Sequence, residues 1–185
     1  MAPVPRRVKE GYCARMRLFS GRVAPIAAEV VRILIAAGDI ETESPKEVQA
    51  DVEAVLRTYL AAERDVNDRT KELLERTGRS MNDFGRVRNQ IAETKGIKVG
   101  DEMLDYVLDQ VVQIFHHSAN VEEIFVEDVE LRRKMAAVFK KHMALDGEID
   151  AEVRAQLRHV SEGSRTWEVE YARVLEQVKR KKGVS

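Results

Sequence analysis

Three segments in the first half of the chain recur in the same order in the second, and any fold must accommodate that recurrence. Gly38-Asp39-Ile40-Glu41 is echoed by Ala119-Asn120-Val121-Glu122, and Val55-Leu56-Arg57-Thr58-Tyr59-Leu60 by Val138-Phe139-Lys140-Lys141-His142-Met143. Phe84-Gly85-Arg86-Val87-Arg88-Asn89-Gln90-Ile91 is echoed by Tyr171-Ala172-Arg173-Val174-Leu175-Glu176-Gln177-Val178, and each run is followed by Lys-Gly, at Lys95-Gly96 and Lys182-Gly183. The offset drifts from 81 (39 to 120) through 83 (60 to 143) to 87 (84 to 171), as small insertions in a second copy require. Internal similarity of this kind outranks other signals for architecture. The expectation is an all-α fold of two diverged tandem copies of a three-helix (short-long-short) unit, packed about a pseudo-two-fold axis. An N-terminal arm would occupy 1–19, the first copy 20–96, and the second copy 97–183 with a basic C-terminal tail.

Helical periodicity supports this reading. A first helix over Pro25 to Ala37 carries Ile26, Val30, Val31, Ile33, Leu34 and Ile35 around most of its circumference, which suits a central position. A crossing segment, Asp39 to Glu43, leads to Ser44-Pro45-Lys46-Glu47, where Ser44 is placed to cap, Pro45 to fill the first turn and Glu47 to complete a capping box. From there Val48, Val52, Val55, Leu56, Tyr59 and Leu60 predict a long helix reaching Arg76 and stopping at Gly78. A third helix is predicted from Ser80 to Lys95. Asp101 to His117 predicts the second copy's first helix, and its long helix is predicted to break near Asp146-Gly147 and resume from Glu148 to Val160. With only 10 Gly and 4 Pro in 185 residues, nothing in the composition opposes so much helix.

The same composition narrows the function. Hydrophobic and charged fractions of 44% and 34% suit a packed helical protein and not a disordered one. The net charge of −1 leaves no overall nucleic-acid footprint: Ser20 to Gly96 has 12 Lys/Arg against 14 Asp/Glu, or −2, and Ile97 to Ser185 has 14 against 17, or −3. Cys13 stands alone, so neither a disulfide framework nor a multi-cysteine metal site is available. The most apolar stretch, Pro25 to Ala37, is interrupted by Glu29 and Arg32 and falls short of a membrane span. No apolar signal segment opens the chain, and the expected address is cytoplasmic.

Chemical motifs fail on spacing. No histidine follows a carboxylate by three residues, as a di-iron bundle needs, and neighbours His116 and His117 point about 100° apart on a helix. His142 and His159 have no carboxylate at a useful spacing, so solvent is their expected neighbour. Asp146-Gly147-Glu148-Ile149 imitates the middle of a calcium loop, but the terminal ligand position falls on Val153. Asp101, Asp105 and Asp109 read as a solvated helix face. No phosphate loop, dinucleotide fingerprint or nucleophile elbow occurs, and no catalytic residue, metal or cofactor is assigned.

Two candidate contact surfaces remain. Lys179-Arg180-Lys181-Lys182 is a dense cationic run that suits a helix C-terminus or a phosphate. Arg132-Arg133-Lys134 and Lys140-Lys141 extend it, and Arg15, Arg17 and Arg22 are further candidates. Trp167, Tyr171, Val174 and Val178 form a stripe on the last helix, either a core face or a partner-docking face.

Upstream, Lys9-Glu10-Gly11 can be encoded by AAG-GAG-GGN, which reads as a bacterial ribosome-binding site before Met16. Met16 is thus a candidate start; the alternative is a basic arm carrying Arg6, Arg7, Lys9 and Arg15. Met16-Arg17-Leu18-Phe19-Ser20-Gly21, Gly38-Asp39-Ile40-Glu41, Asn120-Val121-Glu122-Glu123, Leu131-Arg132-Arg133-Lys134-Met135 and Trp167-Glu168-Val169-Glu170-Tyr171 give the chain, from Met16 to Gly183, a resemblance to a bacterial family known as domain of unknown function 507. The resemblance implies a bacterial cytosolic protein, with Met16 near its opening, and brings no activity or cofactor. The leading expectation is a non-enzymatic protein-binding or scaffold module with an unknown protein partner, and homodimerisation is a further option. The alternative is a nucleic-acid-associated protein with a histone-doublet-like helix order and a basic tail. An enzyme without a recognisable motif comes third.

Overall fold

A computed structural model describes residues 17–160 and 165–182. The basic arm, the Met16 start and Gly183 lie outside the described residues. The elements run as a 3-10 turn (Ser20–Arg22), α1 (Val23–Ala36), β1 (Ile40–Glu41), α2 (Pro45–Thr77), a 3-10 turn (Met81–Asp83), α3 (Phe84–Thr94), a 3-10 turn (Gly100–Glu102), α4 (Met103–His117), β2 (Glu123–Ile124), α5 (Asp128–Gln156) and α6 (Arg165–Lys181). Among the described residues the protein is all-α but for one short pair of strands.

Two compact units divide the chain, Arg17–Asp146 and a second running from Gly147. In the first, Ile26, Val30 and Leu34 of α1 and Val107, Val111 and Phe115 of α4 are fully buried with Val48, Val52 and Leu56 of α2 and Leu131, Met135 and Phe139 of α5. At roughly 1.5–3 kcal/mol for each large apolar side chain removed from water, this cluster dominates the stability of the unit. A smaller cluster of Val66, Ala92, Ile97 and Val99 holds α3 on the second half of α2. Antiparallel β1 and β2 set Ile40 opposite Ile124 and Glu41 opposite Glu123. The crossing segment of the second half thus forms its strand two residues later than the Asp39–Asn120 alignment implies.

Chain ends of helices follow local chemistry. Gly78 terminates α2 at φ 63° and Gly38 follows α1 at φ 71°, conformations that strain any residue with a Cβ. Pro45 begins α2 as expected. Ser44 does not cap it, however: its side chain makes no capping bond, and its own amide donates to Thr42 Oγ1 at 2.9 Å. The capping box is absent because Ser44 is committed to the turn behind it.

The predicted break near Asp146-Gly147 does not occur. Helix α5 runs unbroken from Asp128 to Gln156. One interior glycine costs only about 1 kcal/mol relative to alanine, and Met143, Asp146 and Ile149 on either side are all buried. In the second unit the end of α5 and α6 lie antiparallel, with Arg154 over the Trp167 ring and the Tyr171 hydroxyl donating to Asp150. Among the described residues Ile149, Val153, Leu157, Val174 and Val178 are its buried apolar side chains.

Burial on the two long helices recurs at a fixed spacing. Val48, Val52, Leu56, Glu63, Val66 and Leu74 of α2 are buried, and so are Leu131, Met135, Phe139, Asp146 and Ile149 of α5 and Leu157 just past its end, each 83 positions on (131 − 48 = 83).

Candidate interaction surfaces

The cations singled out above are largely committed within the protein. Arg132 donates to Asp109 and reaches Asp105 at 3.6 Å, so the acidic stripe of α4 serves as its counter-charge. Arg133 pairs with Glu130 at 2.6 Å. Lys134 donates to both oxygens of buried Asp39, at 2.8 and 2.7 Å. Lys141 donates to Glu29 at 2.8 Å. In the second unit Lys181 lies 3.8 Å from Glu152, and Lys182 3.9 Å from Glu148 and 3.3 Å from Glu152. Lys140 and Arg180 are exposed and Lys179 is half-buried. The exposed pairs among these contribute little energy, but every pair lowers the positive field that a phosphate would meet.

Val174 and Val178 are buried, whereas Trp167 and Tyr171 are half-buried and stacked at 4.8 Å between ring centroids. Arg17 is exposed and lies over the Phe19 ring, 5.3 Å from its centroid.

Three polar arrangements in the first unit were not visible in the sequence. His142, expected in solvent, is largely buried, with Nε2 2.8 Å from Glu29 Oε2. Lys141 and then His142 hold the Glu29 carboxyl below its usual range. Arg22 Nε donates to Asp146 at 2.8 Å, while Arg22 Nη2 and Asp146 Oδ2 are buried without hydrogen-bond partners among the described residues. Arg88 binds Glu63 (2.7 Å) and Asn67 (2.8 Å), tying α3 to α2. Beside that pair, burial and then the Glu63 charge push the Tyr59 hydroxyl well above its usual range, and the hydroxyl donates to the Lys98 carbonyl at 3.2 Å. The partners lie 21 to 124 residues apart, beyond the reach of any spacing rule.

His116 and His117 do point apart: His116 lies 2.7 Å from Asp128, and His117 Nδ1 2.7 Å from the Gln113 carbonyl. Among the described residues no group of three His, Cys, Asp or Glu could hold a metal ion, and no helix is long and apolar enough to cross a membrane.

A groove of about 420 Å³ opens between α1 and the start of α2, lined by Ala28, Val31, Arg32, Ile35, Ala36, Pro45, Lys46 and Gln49. This lies within the roughly 300–1,000 Å³ common for binding clefts. Its floor is apolar, Arg32 and Lys46 supply two cations, and no carboxylate lines it.

The fold and surfaces define an all-α protein with a mixed-charge exterior and an apolar interhelical groove. The chain belongs to the family described as "Protein of unknown function (DUF507)", which matches residues 16–184. Among curated proteins no match is found.

Proposed function

We propose that this is a bacterial cytosolic, non-enzymatic protein-binding or scaffold module, built by duplication of a three-helix unit and engaging its partner through a helical surface. The observation that carries the binding reading is the open apolar groove between α1 and α2. Grooves between helices receive amphipathic segments through a few apolar anchors. The duplication is supported by the 83-residue recurrence of burial along α2 and α5 and by the antiparallel pairing of β1 with β2. On that reading the copies keep the boundaries 20–96 and 97–183.

The nucleic-acid alternative is weaker because most candidate cations already face carboxylates. The test is a photo-crosslinking residue at Ala36, on the groove wall, in full-length protein expressed in its native cell. Capture of one reproducible protein, lost when the crosslinker is moved to exposed Arg76, is expected. Capture of nucleic acid, or of no protein at all, would overturn the reading.

A further inference from the structure

The groove has a counterpart in the other half of the first unit, and the two differ in one respect. Applying the α1–α4 offset of 81 and the α2–α5 offset of 83, Ala28 corresponds to Asp109, Ile35 to His116, Pro45 to Asp128 and Gln49 to Arg132. In the second half those four side chains close on one another: Arg132 donates to Asp109, and His116 meets Asp128 at 2.7 Å. In the first half the same positions hold two small or cyclic residues, an isoleucine and an amide, and the space between the helices stays open.

The missing groups indicate what would fill it. The second half supplies two carboxylates at this place, Asp109 and Asp128; the first half supplies none. It carries instead Arg32, whose side chain is 69% exposed and whose nearest acid, Glu29, lies 4.0 Å away and is already held by Lys141 and His142, and exposed Lys46. Glu43 and Glu47 stand nearby in sequence but do not line the groove. Val31, Ile35, Ala28 and Ala36 offer an apolar floor. An occupant that complements this surface brings apolar anchors with carboxylates beside them.

We propose that the α1–α2 groove receives an acidic amphipathic helix of a partner protein, its apolar stripe on Val31 and Ile35 and its carboxylates on Arg32 and Lys46. This rests on the protein-binding reading above and adds the chemistry of the partner. Like charges brought together at such a rim cost enough to reject a basic segment, so the groove selects as well as binds.

The probe is a synthetic peptide of about 16 residues, long enough to be helical, with leucines at i, i+3, i+4 and i+7 and glutamates flanking that stripe. A twin carries lysines in place of the glutamates. Amide shifts of the full chain are recorded by NMR during titration to ~1 mM, where even a dissociation constant near that concentration is visible. The glutamate peptide should give saturable shifts within Ala28–Ala36 and Lys46–Gln49, and the lysine peptide should not. Arg32→Glu with Lys46→Glu should weaken binding ~tenfold or more, the rim then opposing like charge. Ala28→Asp with Gln49→Arg, which installs the second half's own closure, should abolish it.

No saturable shift, equal binding of both peptides, shifts confined elsewhere, or undiminished binding by the closed variant would each overturn the proposal. So would shifts in these amides with phosphatidylglycerol vesicles and none with peptide, which would assign the groove to lipid. The crosslink at Ala36 separates the two levels. A captured partner whose contacting segment is basic would sink this chemistry and leave the binding reading standing.

Discussion

Replacing Arg88 with methionine should cost the first unit about 3 kcal/mol. The guanidinium spans α2 and α3, binding Glu63 at 2.7 Å and Asn67 at 2.8 Å, and the two charged side chains are only 19% and 11% exposed. Removing one partner of a buried pair leaves the other charge without compensation, which costs about 3–5 kcal/mol. Partial access of water at the Arg88 side places this site at the low end. In a chain of this size 1 kcal/mol moves the melting temperature by roughly 2–4 °C, so a fall of about 6–12 °C is expected.

The double variant Glu63→Leu with Arg88→Met removes both charges and keeps the volume filled. Such replacements are often neutral or stabilising, so it should recover at least about 2 kcal/mol of the loss. Denaturant unfolding gives the global figure, and amide exchange in α3 (Phe84–Thr94) locates it. In the single variant those amides should exchange faster than those of α1, because α3 is otherwise held by the small cluster around Val66 and Ala92. A single-variant cost under about 1 kcal/mol, or a double variant as unstable as the single, would refute the assignment of Arg88–Glu63 as the fastening of α3.

Phe139→Ala should cost about 3–5 kcal/mol by denaturant unfolding, since the ring is completely buried at the centre of the main cluster. Gly78→Ala should cost about 1 kcal/mol: a Cβ there meets nothing within 4 Å, but φ is +63°, so the penalty is purely conformational and Gly78→Asn should be milder. Glu29 is depressed below its ordinary value of 4.5 by Lys141 and then His142, so its contribution is present above that value and lost as pH falls through the lower folded one. Unfolding curves from pH 6 downwards should therefore show a slope that Glu29→Gln flattens; an unchanged slope would remove Glu29 from the acid-sensitive groups. Because the Lys179–Lys182 run is partly neutralised by Glu148 and Glu152, duplex DNA at physiological salt should show no tight binding by fluorescence anisotropy. Strong, steeply salt-dependent binding would restore the nucleic-acid alternative.

Helix positions and stops were legible in the sequence because they depend on neighbours within a turn or two. Val48, Val52 and Leu56 declare a buried stripe, and Gly38, Gly78 and Gly96 declare ends. The misreadings share a cause. Gly147 looks like a stop until the buried residues that flank it, Met143, Asp146 and Ile149, are known. His142 looks solvated until α1 places Glu29 against it from 113 residues away. The cation runs were chosen by local density, and density along a chain does not report which carboxylates fold against it. Lys134 illustrates this: it sits in the basic run Arg132-Arg133-Lys134, yet its ammonium is held by both oxygens of Asp39.

On the proposed duplication, two of the buried acids show how diverged copies can keep a burial pattern while changing its chemistry. Glu63 and Asp146 occupy matching positions on α2 and α5 (146 − 63 = 83), and both are nearly inaccessible. Each carboxylate needs a cation, because an isolated buried charge is not tolerated. Glu63 takes Arg88 from the helix that follows it. By the third-helix offset of 87 the counterpart of Arg88 is Leu175, which cannot serve. Asp146 instead takes Arg22, from the 3-10 turn that leads into α1, 124 residues earlier. The consequence is a difference in dependence. Glu63 is satisfied by the third helix of its own half, whereas Asp146 is satisfied from the other half, as Asp39 is by Lys134. On the proposed duplication, the second copy expressed alone would leave Asp146 without Arg22, whereas the first would keep its Glu63–Arg88 pair and lose Lys134 from Asp39.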